Sequence, residues 1–375
     1  MKKILHITNW YPNPWNDLEG IFIKKQFDLF KEVTDSQIVN VQVREGKKFF
    51  EFKHFKYSKN EEGYFIFTNI KSSKIKEILT TLLLLCVLFK KKYKQFDLLH
   101  FHIAYPLLIH YYLWKKLIKI PVIISEHWSA YHFNFYMPKK TKKLNGIKRI
   151  FKQNIPIITV SKALLKDIEE FSGEKQNKYL ILPNVINENI FYFKKNPQNE
   201  IPVFFTVNNW RKIKNPIPML EGFKKLKEKN ISYLLIIGGY GEMIDNMKKF
   251  VIKNKLEEDI QFVGKLNEQE IANYLSESDC YLHSAVYETF SIVIAQALMM
   301  GVPVICPNIP AIKEYADENM VIFLKDNNGE SWKESLEYFI ENKTKFNRKQ
   351  ISEKIKDRFS FSKIKEKYIR FIYEK

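Results

Sequence analysis

The sequence predicts an α/β protein with two domains, each built on a doubly wound parallel sheet. Its 375 residues suit two domains of roughly 150–200 residues better than one. Short, nearly continuous apolar segments alternate with helical segments in two successive arrays, as parallel strands buried on both faces require. The 45% hydrophobic content, with 30 Phe and 20 Tyr, can fill two cores and argues against disorder. A Lys-, Asn- and Pro-containing stretch at 191–202 predicts the linker.

Cysteines and apolar runs suggest a cytoplasmic location. Cys86, Cys280 and Cys306 lie far apart in apolar segments without metal-ligand spacing, which predicts core thiols in a reducing cytosol. The N-terminus lacks the pattern of a secretory signal. The most apolar run, 78–89, has about a dozen residues where a membrane span needs about 20. We therefore interpret this run as a buried helix.

The charge is unevenly distributed. The net charge is +19, from 61 Lys and Arg against 42 Asp and Glu. Residues 1–195 hold 34 basic and 17 acidic side chains, whereas residues 196–375 hold 27 and 25. A basic first half is compatible with peripheral contact with an anionic membrane or with a lipid-linked acceptor. A generally lysine-rich composition that serves solubility explains it too. The basic clusters lack interleaved aromatic residues in a recognisable module, which disfavours nucleic acid as a partner.

The first array begins with the apolar strand KKILHIT. A turn-rich loop follows and reaches Gly20 at the entry to a helix from Ile21 to about Val33. Further apolar strands are predicted at 38–43, 64–69 and 97–102, and a helix at 107–117.

A buried strand at 121–125 ends in Glu126, His127 and Trp128. Ligands of open α/β sheets bind outside the carboxyl ends of the strands, so His127 is a candidate site residue. His100 and His102 end the preceding strand and are weaker candidates for the same edge.

The second array begins with a strand at 203–207. Its polar loop carries Asn209, Arg211 and Lys214 before a helix that starts at Pro216. A strand then leads into the turn GGYG, which contains Gly239, and the following strand ends near Val263 and Gly264.

The stretch from 281 to 305 is the most informative part of the chain. It predicts a short strand, a polar loop, a helix at 290–300 and a second strand. Glu288 precedes the helix, and Gln296 lies two turns further on the same face. Backbone N–H groups at a helix N-terminus, here those of Thr289, Phe290, Ser291 and Ile292, suit a phosphate group.

This stretch resembles the acidic signature of the family 4 retaining glycosyltransferases, in which two glutamates are separated by seven residues. Glu288 matches the first glutamate, which in the family contacts the donor sugar. The second glutamate, which holds the ribose hydroxyls, is Gln296 here, and Ser291 stands where a glycine is common. Because a glutamine can still hydrogen-bond a ribose, we predict from the sequence that Gln296→Glu is tolerated or improves donor binding.

The resemblance extends to the diphosphate site. Lys214 matches the family's lysine, whereas Asn209 replaces the arginine and Arg211 is displaced by two residues. It implies that His127 contacts the donor sugar and that Gly20 lies in the loop over the diphosphate. Further matches flank the nucleotide: Gly239, Val263 and Gly264.

The resemblance implies the GT-B fold, two Rossmann-like domains that face each other across a cleft. The first domain would comprise 1–193 and a returning helix at 359–375, and the second 194–358. The implied activity is transfer of a sugar, with retention, from a nucleotide sugar to a glycan or lipid-linked acceptor in cell-surface polysaccharide synthesis. No Asp-x-Asp motif is present, so we expect no cofactor and no metal requirement.

Three alternatives stay open at this point. The fold also serves enzymes that hydrolyse or epimerise nucleotide sugars. Gln296 and Asn209 are compatible with a non-catalytic sugar-nucleotide binder. A basic protein that binds membrane or nucleic acid without sugar chemistry is the third.

Overall fold

The computed structural model describes residues 1–138, 141–195 and 199–374. The chain forms two compact units, Met1–Val185 with Ser362–Lys375, and Ile186–Phe361. The change of unit precedes the predicted boundary at 193. Phe191 is fully buried and lines a groove with Met299 and Ser352 of the second unit, which explains the earlier boundary.

The first unit contains an eight-stranded sheet. Its strands are β1 (Lys3–Thr8), β2 (Asp35–Glu45), β3 (Glu51–Ser58), β4 (Glu61–Thr68), β5 (Leu98–His102), β6 (Val122–Glu126), β7 (Ile157–Thr159) and β8 (Tyr179–Ile181). Their order is β3-β4-β2-β1-β5-β6-β7-β8, and all neighbours are parallel except β3 and β4. The antiparallel edge strand β3 was not predicted from the sequence.

Five α-helices accompany this sheet among the described residues before 185. They are α1 (Ile21–Phe30), α2 (Ser73–Lys90), α3 (Tyr111–Trp114), α4 (Lys142–Phe151) and α5 (Lys162–Ser172). The predicted helix at 107–117 was wrong for most of its length, because its first residues form turns. There, Leu108 N–H donates to Ala104 and Ile109 N–H donates to Pro106.

Helix α2 also corrects a prediction. The helix exists, but it is not buried as we expected: Ile78, Leu82 and Phe89 are 50%, 53% and 58% exposed. Across the described residues, no helix combines the length and apolar character needed to cross a membrane.

The second unit contains a six-stranded parallel sheet. Its strands are β9 (Val203–Asn209), β10 (Leu234–Tyr240), β11 (Ile260–Gly264), β12 (Cys280–Leu282), β13 (Val304–Pro307) and β14 (Val321–Leu324). The order β11-β10-β9-β12-β13-β14 places the topological switch point between β9 and β12. The helices are α6 (Pro216–Glu228), α7 (Ile244–Lys253), α8 (Glu268–Glu277), α9 (Ile292–Met299), α10 (Pro310–Lys313), α11 (Gly329–Asn342) and α12 (Arg348–Phe359).

The last helix, α13 (Phe361–Tyr373), packs on the sheet of the first unit. The Tyr368 ring stacks on Phe30 of α1 with 3.7 Å between centroids, and its hydroxyl lies 2.9 Å from His100 Nδ1 on β5. Both units therefore have doubly wound sheets that are parallel apart from the edge strand β3, and the predicted fold class is confirmed.

Candidate functional site

A charged group lies at the switch point of the second sheet. After β9, a short 3-10 turn ends at Lys214, and His283 is the first residue after β12. Lys214 Nζ is 2.5 Å and His283 Nε2 is 3.0 Å from the same Glu288 oxygen, Oε1. The switch point thus brings together three side chains from two separate loops at the usual ligand-binding edge of such a sheet.

Burial and the contacts within this group determine the protonation states of Glu288 and His283. Burial disfavours the ionised form of Glu288, but Lys214 and His283 outweigh that effect and lower its pKa to about 2. Burial lowers the pKa of His283, and Glu288 opposes this shift only in part. At neutral pH, Glu288 is therefore a carboxylate, and a neutral His283 donates its Nε2–H to it. The sequence analysis did not identify His283, although its position directly after a strand was a usable signal.

Helix α9 starts beside this group. Its N-cap is Ser291, with φ 64° and ψ 91°, a backbone conformation that favours glycine. Tyr315 Oη donates to the Phe290 carbonyl at 2.9 Å and fixes the loop that carries Glu288 and Thr289. The loop therefore keeps a backbone conformation that Ser291 itself disfavours, at the position where the family resemblance expects a glycine.

Replacing Ser291 by glycine is expected to raise the free energy of unfolding by up to about 1 kcal/mol, because glycine adopts this conformation without strain. Ser331→Gly is the matched control: Ser331 is equally buried, at 8% exposure, but lies inside α11. That control should lose about 1 kcal/mol. Denaturant unfolding of both variants measures the difference, and a loss of stability in Ser291→Gly would contradict the strain.

Gln296 has a partner that the sequence did not predict. The side chain is buried, and its Nε2 donates to Glu268 Oε1 of α8 at 3.2 Å. A carboxylate is therefore present next to the glutamine, although it belongs to a different helix. At the position where the family resemblance expects a glutamate, Glu268 thus supplies the negative charge.

The other predicted donor residues lie at several places in the second unit. Asn209 and Arg211 are exposed, and of the loop's three candidates Lys214 is the one that contacts Glu288. Val263 and Gly264 end β11, the edge strand of the sheet. Asn209 thus ends β9 and Arg211 lies in the same loop as Lys214, and none of the four candidates takes part in the hydrogen bonds to Glu288 described above.

The candidate glycines have structural explanations of their own. A Cβ on Gly239 would lie 1.9 Å from the Asn208 carbonyl oxygen, and one on Gly20 would lie 2.3 Å from that of Trp10. Both glycines have positive φ, 104° and 62°. Gly239 lies in β10 opposite Asn208 of β9, and Gly20 and Trp10 both lie in the segment that joins β1 to α1. Each glycine therefore permits a close approach of two backbone segments.

In the first unit, Glu126 holds the loop that carries His127. Its carboxylate is fully buried and accepts hydrogen bonds from Ala104 N at 2.7 Å, Tyr131 Oη at 2.6 Å and His127 N at 3.1 Å. His127 itself is 8% exposed, and its ring lies 4.7 Å from that of Phe22. Burial lowers the pKa of His127 to about 3, so its imidazole is neutral. Glu126 acts as a positioning residue that the sequence analysis did not assign.

Three further histidines form a cluster under α1 and α13. The His6, His100 and His102 side chains can place one ring nitrogen each within 4.8 Å of one another. His6 Nδ1 lies 3.0 Å from His102 Nε2, and its Nε2 lies 3.2 Å from Ser36. His100 lies 2.9 Å from Tyr368 Oη and 2.7 Å from Ser125 Oγ. Burial lowers the pKa of all three, so these histidines are neutral core groups bonded to each other and to hydroxyls.

The chain matches two protein-family models. Residues 59–189 match Glycosyltransferase Family 4, and residues 187–358 match Glycosyl transferases group 1. The two matches together run through both units. The chain belongs to the family 4 glycosyltransferases.

This family member is similar to two named glycosyltransferase-related proteins at low sequence identity. It is 25% identical to N-acetyl-alpha-D-glucosaminyl L-malate synthase of Bacillus anthracis, over 63% of this chain and 64% of that protein. It is 31% identical to the O-antigen biosynthesis glycosyltransferase WclY of Escherichia coli, over 38% of each chain. The match thus spans less than two thirds of the length of either relative.

The fold of the family 4 chain is shared with solved structures. The HepE protein of Anabaena, crystallised with UDP, aligns with a TM-score of 0.73 over 99% of both chains at 12% identity. This likeness identifies the GT-B fold and confirms two Rossmann-like units.

Proposed function

We propose that this protein is a retaining glycosyltransferase that moves a sugar from a nucleotide-sugar donor to a glycan or lipid-linked acceptor in cell-surface polysaccharide synthesis. The observation that carries the proposal is the group formed by Lys214, His283 and Glu288 at the switch point of the second sheet. A fold alone supports no chemistry, so the argument depends on what these side chains can do.

Lys214 supplies the charge that glycosyl transfer needs on the nucleotide side. The departing nucleoside diphosphate gains negative charge in the transition state, and a preorganised cation stabilises that charge. The salt bridge with Glu288 holds the ammonium group in place before the donor binds. The N-terminus of α9, which starts at Ile292, adds backbone N–H groups that suit a phosphate.

Glu288 supplies an acceptor for sugar hydroxyls. As a carboxylate with two donors on one oxygen, it is fixed in orientation and keeps hydrogen-bonding capacity for a ligand. His127, a neutral imidazole on the loop after β6, is proposed to hydrogen-bond the donor sugar. These assignments follow the family pattern for the two positions.

The comparisons support a role in glycan synthesis. The Escherichia coli relative acts in O-antigen biosynthesis, and the Anabaena structure holds UDP. We extend both features to this chain as proposals: a nucleotide sugar as donor and a surface polysaccharide as product. We also propose that no metal is needed, since Lys214 and the α9 N-terminus offer positive charge to the diphosphate.

A thermal-shift screen tests the proposal. UDP, GDP, ADP and their common sugar conjugates are added to the full chain, with EDTA and then with magnesium. A ligand that binds the native state raises the unfolding temperature by mass action. One nucleotide should stand out in EDTA, and a shift that requires magnesium would overturn the metal-free proposal. No shift with any nucleotide would overturn donor binding.

The second candidate function is a sugar-nucleotide binder that hydrolyses or epimerises its ligand, or that lacks catalysis altogether. Two observations favour it: Asn209 stands at the arginine position and is exposed, and Gln296 replaces a glutamate. It predicts binding in the screen above without sugar transfer to any acceptor.

The structure changes the expectation for Gln296→Glu. The new carboxylate would lie within hydrogen-bonding distance of the Glu268 carboxylate, and like charges that close disfavour ionisation of both. The single variant is expected to lose about 1–2 kcal/mol of unfolding free energy. Exchange of both residues, Gln296→Glu with Glu268→Gln, should restore stability.

Urea unfolding and nucleotide titration of the single and double variants test this coupling. The double variant keeps one carboxylate and one amide, so it is the matched control for the single variant. A single variant as stable as the wild type would contradict a Gln296–Glu268 contact in solution.

A further inference from the structure

Helix α2 carries an apolar stripe on the side that faces solvent. The stripe consists of Ile75, Ile78, Leu82, Cys86 and Phe89, all exposed, and we call it the α2 face. Their spacing of three or four residues aligns them along one side of the helix.

The opposite side of α2 is already buried. Thr80, Leu84, Val87 and Leu88 are at most 3% exposed and pack into the first unit. A helix that covers a core has polar residues on its outer side, and α2 has none between 78 and 89 apart from two threonines, which are buried. The α2 face is therefore not needed for the core.

The segment 110–117 lies next to α2 and also exposes apolar side chains. His110 Nδ1 lies 2.8 Å from Thr81 Oγ1 in the middle of α2, and Tyr93 Oη donates to the Leu117 carbonyl at 3.3 Å near its end. These bonds hold the segment alongside α2. Leu113 and Leu117 on that segment are each 63% exposed.

Lysines surround this surface. Residues 71–95 contain seven lysines and one acidic residue, Glu77. The lysines lie at both ends of α2, at 71–76 and 90–94, with the apolar stripe between them. Glu77 is occupied within the unit, since it accepts a hydrogen bond from Tyr105 at 2.9 Å. Lys91 pairs with Glu62 at 2.5 Å, and the other six lysines of the segment make the rim of the surface positive.

We propose that the α2 face docks the protein on the surface of an anionic lipid bilayer, with the helix parallel to the membrane plane. Apolar side chains would enter the headgroup region, and the flanking lysines would contact anionic headgroups. Lysine stems suit this position because they reach outward along an apolar surface and leave the ammonium group in the polar layer.

The charge pattern argues for lipid over a second copy of the chain. Two identical faces brought together would oppose two lysine-rich rims, and like charges across an interface disfavour association. An anionic bilayer offers the complementary charge over the whole surface. The docking proposal is independent of the proposed activity, because its residues belong to the first unit and the Glu288 group to the second.

Vesicle co-sedimentation of the full chain tests the proposal. Binding to vesicles of phosphatidylcholine with phosphatidylglycerol should be at least 10-fold stronger than to phosphatidylcholine alone, and should weaken at high salt. Ile78→Gln with Leu82→Gln should reduce partitioning at least 10-fold. Ile252→Gln is the control, since Ile252 is 63% exposed on the second unit; it should partition like the wild type.

A second measurement does not depend on whether the double variant folds. Cys86 lies on the α2 face and is exposed, whereas Cys280 and Cys306 are buried. An environment-sensitive fluorophore on Cys86 of the otherwise unchanged chain should shift to the blue with anionic vesicles only. An unchanged spectrum, or equal binding to neutral vesicles, would overturn the proposal. A dimer in solution that Ile78→Gln with Leu82→Gln dissociates would assign the face to a second copy instead.

Discussion

Replacing Glu288 by glutamine is expected to lower the rate of sugar transfer by at least about 10²-fold, the usual cost of removing one preorganised electrostatic contact. Glutamine keeps the shape of the side chain but removes the charge that holds Lys214 and His283. Release of nucleoside diphosphate from the donor found in the thermal-shift screen measures the rate.

The matched control is Glu337→Gln, which removes another carboxylate of the second unit. Glu337 pairs with Lys229 at 2.6 Å, far from the β9 and β12 loops in sequence. It should leave the rate within about twofold, because an exposed ion pair contributes little. A Glu288→Gln protein that is unfolded under assay conditions would show a structural role and contradict the assignment.

Glu288→Gln is also expected to change how the stability of the protein depends on pH. The pKa of Glu288 is about 2, below the ordinary value of 4.5. The stabilising contribution of the ionised group is therefore complete above about pH 4.5 and is lost as the pH falls towards 2. Acid unfolding of the wild type should be steeper in this window than that of Glu288→Gln.

Replacing Gly239 by alanine is expected to lower the free energy of unfolding by about 3 kcal/mol or more, since it combines a clash with backbone strain. The added Cβ would lie 1.9 Å from the Asn208 carbonyl oxygen, at a φ of 104°. Denaturant unfolding of the full chain measures the loss, and nucleotide binding should fall with it.

Gly264→Ala separates the two causes. Gly264 also has a positive φ, 74°, but a Cβ there meets nothing within 4 Å. It should lose only about 1 kcal/mol from backbone strain. Equal losses in the two variants would contradict the close approach of Gly239 in β10 to the Asn208 carbonyl in β9.

Local patterns predicted the parts of the site that follow strands directly. The strand, loop and helix pattern around 281–305 located Glu288, and the polar loop after β9 located Lys214. Glu288 was predicted from its place before a helix N-terminus and from the family resemblance, and Lys214 from the resemblance. What the sequence did not show is that these two side chains form a salt bridge, because 74 residues separate them.

Long-range contacts explain the residues that were missed. The Gln296–Glu268 bond joins helices α9 and α8 through two residues that are 28 positions apart in the sequence, and no periodicity indicates such a pair. Glu126 resembles any polar residue at a strand end until its hydrogen bonds are seen: the three described above and a fourth from Trp128 N–H. The apolar run at 78–89 correctly predicted a helix. It did not show that one side of α2 stays exposed to solvent, because this depends on which other elements pack against the helix.

The most direct test of the proposed activity is the stereochemistry of the product. The full chain is incubated with the preferred nucleotide sugar and a glycan and lipid extract as acceptor, in EDTA. Proton NMR then follows the anomeric signals of donor and product. The account predicts a new glycoside with the anomeric configuration of the donor, lost in Glu288→Gln. Free sugar or an epimerised nucleotide sugar as the sole product would contradict glycosyl transfer.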